Sequence, residues 1–170
     1  MKQNFYKCIS LDFEINKSSF KSVFIVIFYR LSSYFSQNES NIIRVMGVPI
    51  RIAYKLIVEF FMGIELPDKT ISGCGLAIYH GVGLVVNSKT LLGSNISLRQ
   101  CTTIGHKDSS KACPRIGDNV DIGANVVIIG DIDIGKNTII GAGSIVVRSC
   151  PPDSVLVGNP AKIIKTRCNV

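Results

Sequence analysis

From Val86 onwards an aliphatic residue recurs every six positions: Val86, Leu92, Leu98, Ile104, Ile116, Ile122, Ile128, Ile134, Ile140 and Val146, with Ser110 the polar exception. The following residue is glycine at positions 93, 105, 117, 123, 135 and 141. Upstream, Leu66, Ser72, Ile78 and Leu84 keep the same period in a register two residues apart. Neither the two-residue period of a half-buried strand nor the 3.6-residue period of a helix produces this series. A hexad repeat predicts a parallel β-solenoid of triangular section, three hexads to a coil. One aliphatic side chain per hexad points into a narrow prism, and the next residue lies near a corner where a missing Cβ helps. Residues 66–149 supply about four coils of ~18 residues. The pattern predicts Ile122, Ile128, Ile134 and Ile140 buried in one stack, with Asp121, Asp131, Asp133 and Lys136 outside.

Two departures from the period matter. The first is the two-residue shift just after His80. The second is the polar stretch His106 to Lys111, closed by Cys113-Pro114. A segment that cannot fill the prism has to leave it as a loop, the usual place for binding groups. Before the repeat, residues 18–35 read as a helix with Ser18 or Ser19 as N-cap. A break follows over residues 36–41, and a second helix runs from Val48 to Met62, with Pro49 near its start and Gly63 past its end. Arg51, Lys55 and Glu59 share one face of it. Two such helices have no core of their own, so they are expected to pack against protein, the following domain or another subunit, rather than on a membrane surface. The organisation is a helical segment 1–62, a solenoid domain 63–150 with a loop at 106–115, and a tail 151–170.

Composition supports this division. Isoleucine occurs 25 times and glutamate four times, a bias that suits strands. Thirteen of the 15 glycines fall at or after Gly73. The net charge of +7 divides as +4 over residues 1–62, +1 over 63–150 and +2 over 151–170. Without an Arg/Lys-rich helix, a tryptophan or an aromatic stacking platform, this excess does not suggest nucleic acid; a phosphorylated small ligand or an anionic membrane surface suits it better. The six cysteines are scattered without a CxxC pair, and the N-terminus lacks secretory order, so reduced thiols in a cytoplasmic protein are expected. The strongest apolar run, Val23 to Tyr29, is bounded by Lys21 and Arg30, far short of a bilayer span. With two histidines, His80 and His106, and no Cys/His cluster at ligand spacing, no metal is expected.

The hexads, the segments IYHGVGLVV and IGDNVDIGANVVIIGDIDIGKNTIIGAGSIVV, and the closing VLVGNPAKIIK resemble the bacterial hexapeptide-repeat acetyltransferases. The similarity runs over residues 63–165. It is nearest to the serine acetyltransferase branch and its relatives that O-acetylate capsular and exopolysaccharide sugars, including the colanic acid type. The resemblance implies an all-β left-handed parallel β-helix preceded by a short α-helical segment, assembled as a homotrimer with active sites between adjacent prisms. It makes His80 the general base and Glu65, where the family usually has Asp, the carboxylate that orients it. Acetyl-CoA is the implied co-substrate, along Gly105, Ala124, Ala142, Val147 and Arg148, with Lys162, Lys165 and Arg167 towards the nucleotide phosphates. Tyr79, His106 and Cys113 fall on the acceptor side. His106 has two other readings, as an alternative base or as a solvated loop residue.

Two residues depart from the serine branch. Cys113-Pro114 stands where that branch has His-Pro, its contact to the amino acid's carboxylate, and Tyr79 stands where it has Asp. A thiol carries no positive charge, whereas a tyrosine face suits a sugar ring. A sugar hydroxyl is therefore the expected acceptor, unless Arg115, Lys107 or Lys111 replaces the missing cation. The alternatives are a serine O-acetyltransferase and a non-catalytic scaffold or sugar-binding module.

Overall fold

The structure is a computed structural model and describes residues 5–107 and 112–166. It begins with α1 (Phe5–Asn16), α2 (Phe20–Ser36), α3 (Asn41–Met46) and α4 (Val48–Tyr54), the last running straight into a π-helical segment, Lys55–Phe61. Ser19 is the N-cap of α2, its hydroxyl accepting from the Ser22 amide at 3.2 Å. The helix expected over 48–62 is thus α-helical only in its first half. Sequence reasoning passed over α1 and α3 altogether.

Short strands then wind as β1 (Ile71–Ser72), β2 (Ala77–Tyr79), β3 (Val85–Val86), β4 (Leu91–Leu92), β5 (Ser97–Arg99), β6 (Thr103–Gly105), β7 (Arg115–Ile116), β8 (Asp121–Ile122), β9 (Val127–Ile129), β10 (Asp133–Ile134), β11 (Ile139–Ile140) and β12 (Ile145–Val146). A hairpin, β13 (Ser154–Gly158) and β14 (Ala161–Thr166), follows the last coil. The strands stack into three walls: β1-β4-β7-β10, then β2-β5-β8-β11-β13-β14, then β3-β6-β9-β12. Every pairing is parallel except β13 with β14.

The prism core follows the hexads. Ile122 lies under Ile140 and Leu156 on the second wall, Ile128 between Ile104 and Val146 on the third, and Ile134 on Ile116 on the first. All four predicted isoleucines are buried, spread over three inward-facing ladders of one core rather than a single column. Asp131, Asp133 and Lys136 are exposed and Asp121 is half-buried. The edge between the first and second walls is a column of left-handed residues: Gly75, Asn95, Asn119, Asn137 and Asp153. Their side chains bond in series, Asn95 Nδ2 to Asn119 Oδ1 at 2.9 Å, Asn119 Nδ2 to Asn137 Oδ1 at 2.9 Å, and Asn137 Nδ2 to Asp153 Oδ1 at 2.8 Å. Asparagine tolerates this backbone region better than other side-chain-bearing residues do. At φ +84°, and with Asn95 Oδ1 against the place a Cβ would take, glycine suits the end of the column at position 75.

Ile116 pairs directly with Leu92, 24 positions earlier, one hexad more than a coil of three; Ser110, where a loop is expected, falls within 108–111, outside the described residues. The helices cap the open edge of the first coil. Tyr29 and Tyr54 hydroxyls donate to the carbonyls of Thr70 (2.7 Å) and Leu66 (2.6 Å). Asn16 donates to Leu76 O at 2.8 Å and accepts from Ile78 N at 3.2 Å. An unpaired sheet edge is costly to bury, and polar side chains satisfy it here.

One expectation is corrected. Cys8 of α1 and Cys74, in the corner before β2, form a disulfide with Cα atoms 4.4 Å apart, so the thiols are not all reduced. The reason is packing that the cysteine spacing did not reveal: α1 lays its buried face on the first coil and brings residues 66 positions apart together. The reduced-thiol support for a cytoplasmic setting is lost with it. Among the described residues, no helix is long and apolar enough to cross a membrane.

Candidate active site

The two-residue shift falls at the edge between the second and third walls, in the turn from β2 to β3. Higher on this edge the left-handed residue is Cys101, Asn125 or Gly143, and each donates its amide to the rung below: to Val82 O (2.9 Å), Gln100 O (3.0 Å) and Ala124 O (2.8 Å). Gly83 does the same to Gly63 O at 2.9 Å. The added residues before Gly83 push His80 outward with φ +61°, a region uncommon for side-chain-bearing residues but one that His, like Asn and Asp, enters more readily than most. The His80 carbonyl accepts from the Val82 amide. Its ring is exposed and makes no hydrogen bond to a described residue.

Glu65 lies one rung below. Its amide donates to Leu84 O at 2.8 Å and its carbonyl accepts from Val86 N at 2.7 Å, which places it beside β3. Adjacent rungs are ~4.8 Å apart. Glu65 thus pairs with Val85 at the start of the third wall, five residues past His80, and sits one rung below it, without a hydrogen bond between the Glu65 and His80 side chains. Tyr79, 37% exposed, precedes His80 on the outer face of the second wall. The Arg99 guanidinium sits 5.4 Å from the centroid of its ring. Arg99 in turn pairs with Asp121 and donates to Ile122 O at 2.9 Å. Sequence reasoning missed Arg99, although it stands one coil after Tyr79 and pairs with it in register.

Ala124 and Ala142 stand higher on the His80 edge, half-buried and exposed respectively. A Cβ on Gly143 would meet nothing within 4 Å, so this edge is open beside its small side chains. Lys162 pairs with Val157 and Lys165 with Val155, on either side of buried Leu156. A register shift between Val155 and Leu156 turns both lysines to the same outward side. A thin chain bearing phosphates fits this combination of open backbone, small residues and exposed cations. Arg167 lies outside the described residues.

Gly105, His106, Val147 and Arg148 occupy the opposite edge of the third wall, where it turns to the first. There His106 Nδ1 lies 3.2 Å from Asn87 Nδ2. Cys113 is buried, and burial pushes its thiol up from its ordinary value, with Lys89 and Thr90 opposing. Arg115, one candidate for a substitute cation, is committed elsewhere: it pairs with Asp133 at 2.5 Å and with Asp131 at 2.9 Å on the first wall. Among the described residues, no group of three or more His, Cys, Asp or Glu is placed to hold a metal ion.

Comparison with known proteins settles the lineage. The bacterial transferase hexapeptide signature (six repeats) matches residues 113–148. Over 155 residues the chain is 34% identical to the Escherichia coli K12 protein assigned as the colanic acid biosynthesis acetyltransferase WcaB, spanning 89% of this chain and 96% of that one. The chain belongs to the bacterial hexapeptide-repeat acetyltransferases. Among solved structures, a serine acetyltransferase from Neisseria gonorrhoeae superposes with a TM-score of 0.80 at 28% identity, over 98% of this chain and 67% of that one. Serine acetyltransferase from Brucella abortus strain S19 gives 0.80 at 23% identity, over 97% and 71%, a likeness of fold. For this hexapeptide-repeat acetyltransferase, the candidate residues divide between the two edges of one wall: His80, Ala124 and Ala142 on one, with Glu65 just past it at the start of the wall, and Gly105, His106, Val147 and Arg148 on the other.

Proposed function

We propose that this acetyltransferase moves the acetyl group of acetyl-CoA to a sugar hydroxyl of a capsular polysaccharide, an exopolysaccharide or a precursor, with His80 as general base. The observation that carries this reading is the placement of His80 in an added two-residue turn, exposed, with an unbonded ring and Glu65 one rung below. Acetyl-CoA supplies the thioester carbon. His80 removes the acceptor proton as the hydroxyl oxygen bonds to that carbon; the carbon–sulfur bond breaks and the proton ends on the departing thiol. Glu65, one rung below, is the carboxylate that would turn to the imidazole when the acceptor is bound, fixing the tautomer that leaves one nitrogen free and offsetting the charge that develops on the ring. Ala124, Ala142 and Gly105 flank the pantetheine arm, while Lys162 and Lys165 meet phosphates. The two edges face apart within one chain, which favours a homotrimer in which each site combines the His80 edge of one subunit with the opposite edge of the next.

A sugar is preferred over serine because the anchors for a zwitterion are missing. The Cys113 thiol is buried and held neutral, Arg115 is taken by two aspartates, and Tyr79 presents an aromatic face backed by Arg99. Losing a charge-assisted bond to a carboxylate costs on the order of 2 kcal/mol. The test is a screen of hydroxyl acceptors for acetyl-CoA-dependent thiol release. Sugar or nucleotide-sugar acceptors should give saturable release and L-serine a negligible rate. Efficient, saturable acetylation of L-serine would establish the serine-acetyltransferase alternative, and no release with any acceptor would leave a scaffold.

A further inference from the structure

Asn87 begins the turn after β3, directly beneath Gly105 on the edge opposite His80. Its amide donates to Ile104 O at 2.8 Å and its carbonyl accepts from Thr90 N at 2.9 Å, so its backbone is fixed at both ends. The side chain is fixed as well. The Lys89 backbone amide donates to Asn87 Oδ1 at 3.0 Å, and because a backbone N–H has only a hydrogen to give, the atom it meets must be the oxygen. The other amide atom, Nδ2, therefore faces His106 Nδ1 at 3.2 Å. Nδ2 carries hydrogens and no lone pair, so Nδ1 has to accept. A neutral imidazole has one ring hydrogen, which this contact assigns to Nε2.

We propose that Asn87 is a positioning residue that holds His106 as an outward Nε2–H donor, and that this N–H, flanked by the exposed Lys89 and Lys107, binds a phosphate oxygen of the acceptor. In this pose His106 has no lone pair on its accessible nitrogen, so it binds and does not act as base. That division of labour leaves proton removal to His80, whose ring no described residue engages. The anion subsite deepens the acetyl-transfer reading and rests on it for its biological ligand, but the tautomer and the anion contact can be read without turnover.

The test uses the full-length protein labelled with ¹⁵N-histidine at pH 9, where an ordinary imidazole is neutral. With two histidines, a His80→Gln variant assigns the spectrum. Long-range ring correlations should show His106 with hydrogen on Nε2. In Asn87→Asp the Lys89 amide keeps its oxygen partner while the donor becomes an acceptor, so the ring hydrogen should move to Nδ1. Titration with inorganic phosphate should shift the His106 Nε2–H resonance saturably in the wild type and at least about tenfold more weakly in Asn87→Asp, with His80 not following. A wild-type Nδ1–H tautomer, or one unchanged by Asn87→Asp, overturns the positioning role. Absence of a saturable phosphate shift at His106 overturns the anion subsite. Phosphate binding without acetyl transfer to any sugar would instead sink the proposed function and leave this assignment standing.

Discussion

Asp12 and Arg30 form an ion pair at 2.6 Å that is enclosed between α1, α2 and the first coil. Both remaining valences point at the solenoid: Asp12 Oδ1 accepts from the amides of Gly75 (2.7 Å) and Leu76 (2.9 Å), and Arg30 donates to the carbonyls of Ser72 and Gly73. The pair therefore supplies the bonds that a further coil would have given the lowest rung. Replacing Asp12 by Ala leaves a guanidinium buried without its counter-charge and should cost about 3–5 kcal/mol. Asp12→Asn keeps an acceptor for the two amides and should cost less. Chemical denaturation of both variants checks the order; equal, small losses would mean that the cap is not held this way.

A second expectation concerns the prism. Ile128 is fully buried between Ile104 and Val146 in the third-wall ladder. Ile128→Asp would put a charge where no polar partner is within reach, a loss that rivals the ~5–15 kcal/mol stability of a whole domain. The variant should fail to fold, read as loss of the β-type circular dichroism spectrum. Ile128→Val, which removes one methylene, should cost only about 1 kcal/mol.

The contrast between prism and cap explains what could be read from the chain. Each inward position such as Ile122 or Ile140 repeats one local rule, so the hexads alone locate the core, the loop and the exceptional turn at His80. The cap obeys no repeat. The α1 helix carries Asp12 and Asn16 on its buried face, so a search for an apolar stripe passes over it. Those polar residues are buried because they meet backbone groups 60 or more positions away. The Cys8–Cys74 disulfide was hidden for the same reason. At the candidate site, His80 and Glu65 stood out by register and resemblance, whereas Asn87 gained meaning only when stacking brought it under Gly105, beside His106.

Glu59, in the π-helical segment, supplies a pH-dependent test. Burial pushes its carboxyl above the ordinary value; Lys55 opposes this, and Asp68 and Glu65 add to it. One carboxylate oxygen, Oε1, is buried without a hydrogen-bond partner. A carboxyl whose folded value is raised favours folding where it is protonated, and that contribution is lost as pH rises through the folded value. At neutral pH the charged form is therefore a burden, and Glu59→Gln should stabilise the protein, by less than about 1 kcal/mol because solvent screens this half-exposed carboxylate. The gain should shrink as pH falls through the carboxylate range and vanish below about pH 4. Thermal melts of both proteins across that range decide it; a gain independent of pH would point to packing instead.

The proposed base is tested by separating chemistry from binding. His80→Ala removes proton abstraction and should lower kcat by roughly 10²–10⁴-fold with a sugar acceptor. Acetyl-CoA affinity should change little, because its proposed contacts lie along Ala124, Ala142, Lys162 and Lys165. Glu65→Gln keeps the size of the side chain but not its charge, and should lower kcat by less than His80→Ala, again without weakening acetyl-CoA binding. His106→Ala should behave differently: as a donor to the acceptor it should raise the acceptor KM, by about tenfold, and spare most of kcat. The three variants thus give distinct patterns from steady-state rates at varied acceptor and fixed acetyl-CoA. If His106→Ala instead abolishes kcat while His80→Ala stays near wild type, the added turn at His80 is structural and the base lies on the opposite edge.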